Sequence, residues 1–218
     1  MDKVQDGQLL ADQAEDALWA ALRAGQLRAG QFLSMSQLVT LLGFPLSAVR
    51  EAVKQAGSQG LLITLPKRGI QVMEAQPETI RECLDFRMVM DQEGARRRVA
   101  SGNCAGLGTL RAQHQKLLDC ARSNAGGDLP PQAIQVDLSL HDYLSAGLEN
   151  SRLAAACDAN RMRIAIIQNA RPFLQVRIVS AMEEHLAVID ALERRDGAAA
   201  AEAIRYHFDQ TLRWWGVA

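Results

Sequence analysis

Apolar residues recur at helical spacing near the start of the chain. Ala14, Ala17, Leu18, Ala21 and Leu22 mark one face of a helix over residues 12–23. A short, Gly-punctuated connector follows, GQLRAGQFL. A second short helix is expected over 36–42, closed by Gly43. Pro45 opens a third over 45–59, where a missing N–H in the first turn is tolerated, and Gly60 ends it. The period then changes. LLITL, the turn PKRG and IQVME read as two β-rich runs around a Pro/Gly turn, a hairpin. Three short helices followed by a hairpin predict a winged helix-turn-helix.

Beyond Glu74 the strand signal disappears. AQPE is a linker, and the rest reads as helices over 77–101, 107–124, 132–148, 152–168, 175–195 and 197–215. AGGDLPP, residues 125–131, is the clearest loop, and Asp196–Gly197 separates the last two helices. The expected fold is mainly α: a winged helix-turn-helix at about 1–75, then an all-α antiparallel helical bundle at about 79–218.

Composition agrees with a globular chain. Of 218 residues, 48% are hydrophobic and 22% charged, enough to build a core. Net charge is −1, which excludes a tail-driven polycation, but the charge is uneven. Residues 1–22 carry five acids and one base, and residues 23–68 carry six bases and one acid. That basic stretch coincides with the helix-turn-helix and suggests an anionic partner for one face, an ordinary solvated surface being the equal alternative on charge alone. The acidic, polar start MDKVQDGQLLADQAED is unlike a secretory leader, and no apolar run reaches the length of a membrane span. Cys83, Cys104, Cys120 and Cys157 form no C-x-x-C pair and read as reduced thiols of a cytoplasmic protein.

The candidate chemistry lies among the histidines. Asp137 and His141 stand four apart, on one face of a helix, so both can grip one ion. His185 and His207 lie on later helices, each with apolar neighbours at helical spacing, so all three histidines can face one bundle interior. The other reading of this set is three unrelated histidines. His114, in RAQHQKLLD, is expected on an exposed face. Arg96–Arg98 is expected to be a solvated charge run, Trp214–Trp215 a C-terminal anchor, and Asn150 the end of the helix that carries His141.

GQLRAGQFL, LVTLLGFPLSAVREAV, QGLLITLPKRGIQV, the Asp137/His141 pair, EEH and His207 together resemble the GntR family of bacterial transcription regulators, in its FCD branch. The resemblance spans about residues 18–207. It implies a DNA-binding N-terminal domain, a helical effector-sensing domain and a homodimer on a two-fold-symmetric operator in double-stranded DNA. It also implies a divalent metal, Zn, Ni or Mn, held by Asp137, His141, His185 and His207, with open positions for a small carboxylate effector. Arg87, in FRMVMD, matches a family arginine beside the pocket and is assigned to the effector carboxylate, a surface charge being the alternative.

The recognition helix departs from the family pattern. The first arginine of Ser-Arg-Thr-Pro-Val-Arg-Glu-Ala is replaced by Leu46, and Ser36 stands where relatives often carry a base. Ser47, Arg50, Lys67 and Arg68 remain as the expected DNA contacts. Two rival readings are a metal-dependent sensor without specific DNA binding, which Leu46 favours, and a metal-dependent hydrolase. The hydrolase has only Glu184 as a candidate base, directed about 100° from His185 on a helix.

Overall fold

The computed structural model describes residues 2–123, 129–171 and 173–218, with side chains described from Leu10 onward. It divides into two compact units, one of residues 1–80 with 161–171, the other of residues 81–160 with 172–218.

In the first unit the order is α1 (Asp2–Arg23), β1 (Phe32–Leu33), α2 (Met35–Leu42), α3 (Leu46–Ser58), β2 (Leu62–Leu65) and β3 (Gly69–Val72). α1 starts ten residues earlier than its apolar stripe indicates. Ser34 caps α2 through a reciprocal box with Gln37, and Gly43 closes it in the left-handed conformation. α3 buries Ala48, Val49, Ala52, Val53 and Ala56 and packs on α1, where Leu18 and Leu22 are fully buried. Each such leucine is worth roughly 1.5–3 kcal/mol of burial. Asn169 Nδ2 donates to the Leu22 carbonyl at 2.9 Å, completing the C-terminal end of α1.

The expected hairpin is β2–β3, with Leu62 opposite Val72 and Leu65 opposite Gly69. The β1 strand, not anticipated, adds to β3 and gives the antiparallel order β1-β3-β2. Gly69 is required there: a Cβ would stand 2.6 Å from the Leu33 carbonyl oxygen.

The second unit carries most of α4 (Pro77–Ser101), then α5 (Leu107–Arg122), α6 (Leu129–Ala146), the first part of α7 (Ser151–Asn169), α8 (Gln175–Glu193) and α9 (Gly197–Trp214). Of the expected loop 125–131, residues 125–128 lie outside the described residues, and Leu129–Pro131 already belong to α6. Two apolar clusters form the core. One contains Leu107, Leu110, Leu140, Leu144, Val188 and Ile204, the other Leu117, Leu118, Ala133, Ile178, Ala181 and Met182. α5 runs from the first cluster to the second, whereas α6 and α8 run from the second to the first. α5 is therefore antiparallel to both. Between the clusters these helices bury polar residues: His114 on α5, Asp137 on α6, and Glu184 and His185 on α8. They form a polar layer between two apolar ones.

Three surface expectations are corrected. Arg96 is solvated on Glu93, but Arg98 is buried, donating from Nε to the Tyr143 carbonyl at 2.8 Å with its guanidinium 3.7 Å from the Tyr143 ring centre. Of the expected anchor pair, Trp214 is 42% exposed and Trp215 is half-buried. The buried terminal residue is Val217, whose carbonyl accepts from Arg81 Nε at 2.8 Å. Asn150 begins α7 rather than ending α6: its Oδ1 accepts from the N–H groups of Arg152 and Leu153. No helix among the described residues is long and apolar enough to cross a membrane.

Candidate metal centre and DNA-contacting surface

Asp137 and His141 stand one turn apart on α6, His185 on α8 and His207 on α9, and all four are buried. Their inward ligand atoms all lie within 4.8 Å of one another. His185 Nε2 is 3.3 Å from His207 Nε2 and 3.6 Å from Asp137 Oδ1, and His141 Nε2 is 4.0 Å from Asp137 Oδ2. Donors about 2.0–2.1 Å from one cation lie about 3–3.4 Å apart when adjacent, so this set is close to the spacing a single ion requires. His141 Nε2 is buried with no hydrogen-bond partner, a polar atom aimed into the centre of the group.

The outer ring nitrogens are each engaged. His141 Nδ1 donates to Asp91 Oδ2 at 2.6 Å, and His207 Nδ1 donates to Glu184 Oε2 at 2.6 Å. Glu184 Oε1 accepts from Arg177 Nη1 at 2.7 Å, and Arg177 Nη2 donates to Thr211 Oγ1 at 3.0 Å. A carboxylate on Nδ1 holds the proton there and leaves the Nε2 lone pair facing inward.

His114, expected on the surface, is fully buried. Its Nδ1 lies 2.8 Å from the Leu110 carbonyl and its Nε2 lies 3.1 Å from His185 Nδ1. The sequence signal was present, since Leu110, Leu117, Leu118 and Ala121 share its helix face; the polar neighbours Gln113, Gln115 and Lys116 masked it. Asp91 lacked any such signal, because its partner His141 lies 50 residues away. Glu184 does point away from His185, as helix geometry requires, and its two oxygens accept from Arg177 and His207.

Burial is the largest influence on the titration of His141 and His185. It pushes His141 and His185 well below the ordinary 6.5, with the positive charge of Arg87 adding to the effect at His141 and the His207 ring adding to it at His185. Burial also lowers His114, opposed in part by its bond to the Leu110 carbonyl. Arg87 is half-buried on α4, one turn before Asp91 and on the same helix face, and its charge reaches His141.

In the first unit, Ser47 and Arg50 are exposed on α3, with Leu46 in its first turn 44% exposed. Lys67 and Arg68 are exposed in the β2–β3 turn, where Lys67 takes a positive φ of 64° and the Arg68 N–H donates to the Leu65 carbonyl at 3.0 Å. These four lie on the helix and turn that meet a duplex in winged helix-turn-helix proteins.

A winged helix-turn-helix with exposed bases, in one chain with a helical domain enclosing a buried His/Asp group, defines the class of ligand-sensing DNA-binding regulators. Residues 10–72 match the bacterial regulatory proteins of the gntR family, and residues 82–210 match the FCD domain. A probable D-xylose utilization operon transcriptional repressor of Paenarthrobacter nicotinovorans is 25% identical over 91% of this chain and 85% of its own. The HTH-type transcriptional regulator BphR of Paraburkholderia xenovorans LB400 is 24% identical over 90% of this chain and 83% of its own. Among solved structures, E. coli McbR/YncC superposes with a TM-score of 0.77 at 19% identity, covering 95% of this chain and 97% of the other. A GntR transcriptional regulator from Rhodococcus sp. RHA1 gives 0.76 at 18%, covering 94% and 97%.

The chain belongs to the GntR family of bacterial transcription regulators, in the branch with an FCD effector-binding domain. The family and the relatives named are DNA-binding regulators and not enzymes, which removes the hydrolase reading.

Proposed function

We propose that this regulator binds one divalent cation, Zn, Ni or Mn, and couples a small carboxylate effector to operator binding. Asp137, His141, His185 and His207 are the ligands. The observation that carries the reading is His141 Nε2, buried, without a partner and facing the convergent group. With Nδ1 protons held by Asp91 and Glu184, the inward nitrogens present lone pairs to one another, an arrangement that a cation stabilises. A cation bound by one Asp and three His leaves positions open and supplies a Lewis-acidic anchor for a carboxylate oxygen. Arg87, whose charge already reaches His141, offers a forked donor to the same carboxylate.

Residues of about 1–75 carry the DNA contacts and those of about 79–218 the sensing site. α3 enters the major groove with Ser47 and Arg50, and Lys67 and Arg68 meet the backbone or minor groove. A homodimer, acting in the cytoplasm, presents two such surfaces to a two-fold-symmetric operator. The effector shifts operator affinity only insofar as it binds the two dimer states differently. One observation favours a second reading, a sensor without specific DNA binding: Leu46 places an apolar, 44% exposed side chain where a charged contact is expected.

Elemental analysis of protein purified without added metal or chelator tests the first reading. One divalent ion per chain is expected, with a melting temperature that falls on chelation and recovers with metal. Metal-free protein whose melting temperature ignores Zn, Ni and Mn overturns it.

A further inference from the structure

The three inward-facing histidines have three different supports. Asp91 supports His141 and Glu184 supports His207, both with a carboxylate. His185 is supported by a second histidine, on another helix and fully buried. The hydrogens of this pair can be assigned from its terminus. The Leu110 carbonyl only accepts, so His114 Nδ1, 2.8 Å away, carries a proton and donates it. A neutral His114 then has an unprotonated Nε2, which can only accept. Its neighbour at 3.1 Å, His185 Nδ1, must therefore be the donor. That leaves His185 Nε2 unprotonated and directed at Asp137 and His207.

We infer that His114 is a positioning residue for the metal centre: it fixes the tautomer and ring orientation of His185 through a relay that ends on the Leu110 carbonyl. The inference rests on the proposed ligand set. The choice of an imidazole rather than a third carboxylate has a physical consequence. Asp91, Asp137 and Glu184 already place three carboxylates in this buried layer, with Arg177 bonded to one of them. A neutral acceptor on His185 supplies orientation without a fourth buried negative charge. His114 makes no contact with the ion itself; it acts through His185.

Two variants separate positioning from packing. His114→Leu keeps an apolar side chain in the layer but offers His185 no acceptor. His114→Gln places an amide oxygen near the position of the lost Nε2, so it can restore the bond. Nitrogen-detected NMR of metal-free protein, with the His185 signals assigned, reads the tautomer directly. Wild type and His114→Gln are expected to show His185 protonated at Nδ1, and His114→Leu to show a mixture or the Nε2-protonated form. In parallel, Zn2+ titration against a competing chelator should give an affinity about 10–100-fold weaker for His114→Leu. His114→Gln should lie within a few-fold of wild type. An unchanged His185 tautomer in His114→Leu overturns the inference whatever the metal result. Wild-type protein that binds no Zn2+ while His114→Leu changes the tautomer refutes the ligand set but upholds the relay.

Discussion

Glu183 and Glu184 are neighbours in sequence, and exchanging each for glutamine should have opposite consequences. Glu184 is buried, with one oxygen accepting from Arg177 at 2.7 Å and the other from His207 Nδ1 at 2.6 Å. Glutamine keeps the shape but has one acceptor oxygen and one donor NH2. If the NH2 faces Arg177, donor meets donor. If it faces His207, Nδ1 must become the acceptor, and the proton moves to Nε2, closing the lone pair that should meet the ion. Either arrangement removes at least one charge-assisted bond, each worth about 1.5–3 kcal/mol. The loss should stay near that range rather than at the 3–5 kcal/mol or so of a stranded buried charge, because Arg177 keeps its bonds to Ser180 and Thr211. Zn2+ affinity should fall about 10–100-fold, or about 1.4–2.7 kcal/mol. Glu183 pairs with Arg122 at the surface, the two side chains 49% and 54% exposed, so Glu183→Gln should change stability by roughly 0–1 kcal/mol and leave metal affinity unchanged. Urea denaturation of metal-free protein and a chelator-competition titration measure both quantities. If Glu184→Gln matches Glu183→Gln in both, the assigned role of the buried glutamate is wrong.

Other residues give equally direct tests. His114, His141 and His185 are held neutral by burial, so their folded values lie below the unfolded 6.5. The unfolded chain then binds more protons below pH 6.5, and metal-free protein should be fully stable above that pH and lose up to about 1.4 kcal/mol per pH unit per histidine as pH falls below it. A denaturation midpoint that is flat from pH 7.5 to 5.5 contradicts this. Gly94→Ala would gain about 1 kcal/mol in an ordinary helix, but here the new Cβ stands 2.1 Å from the Leu144 carbonyl oxygen. Overpacking should therefore destabilise the protein by about 1–3 kcal/mol, measured by urea denaturation, and a stabilised variant refutes the close α4–α6 approach. On a fragment upstream of the protein's own gene, Arg50→Ala should cost about 1–3 kcal/mol of specific affinity, measured by binding titration. Lys67→Asn, which tolerates the positive φ, should weaken binding to all sequences and reduce the salt slope by about one unit.

What the sequence reveals depends on how far its signals reach. The helix-turn-helix and wing are local: Gly43, Pro45 and the PKRG turn punctuate short elements, and the bounds of α2, α3, β2 and β3 lie within a few residues of those expected, whereas α1 starts ten residues early. The two-residue β1 strand has no periodicity of its own and forms only because β3 lies beside it. Asp137 and His141 declare themselves by i, i+4 spacing. The residues that support the histidines do not, because Asp91 and Glu184 meet their partners on other helices. Polar flanks make His114 look exposed, although its apolar neighbours at i−4, i+3, i+4 and i+7 place it inside. Arg98 is hidden by its neighbours in the same way. A run of three arginines looks uniformly solvated, yet helix geometry directs its members to different sides, and Arg98 reaches Tyr143.

The central claim is that three imidazoles and one carboxylate hold a single cation in the layer between the two apolar clusters. X-ray absorption at the zinc edge of stoichiometrically loaded protein tests it most directly. The account predicts a shell of nitrogen and oxygen at about 2.0–2.1 Å with multiple-scattering features of three imidazoles, reduced to two in His141→Ala. A shell containing sulfur, or fewer than three imidazoles in the wild type, contradicts it.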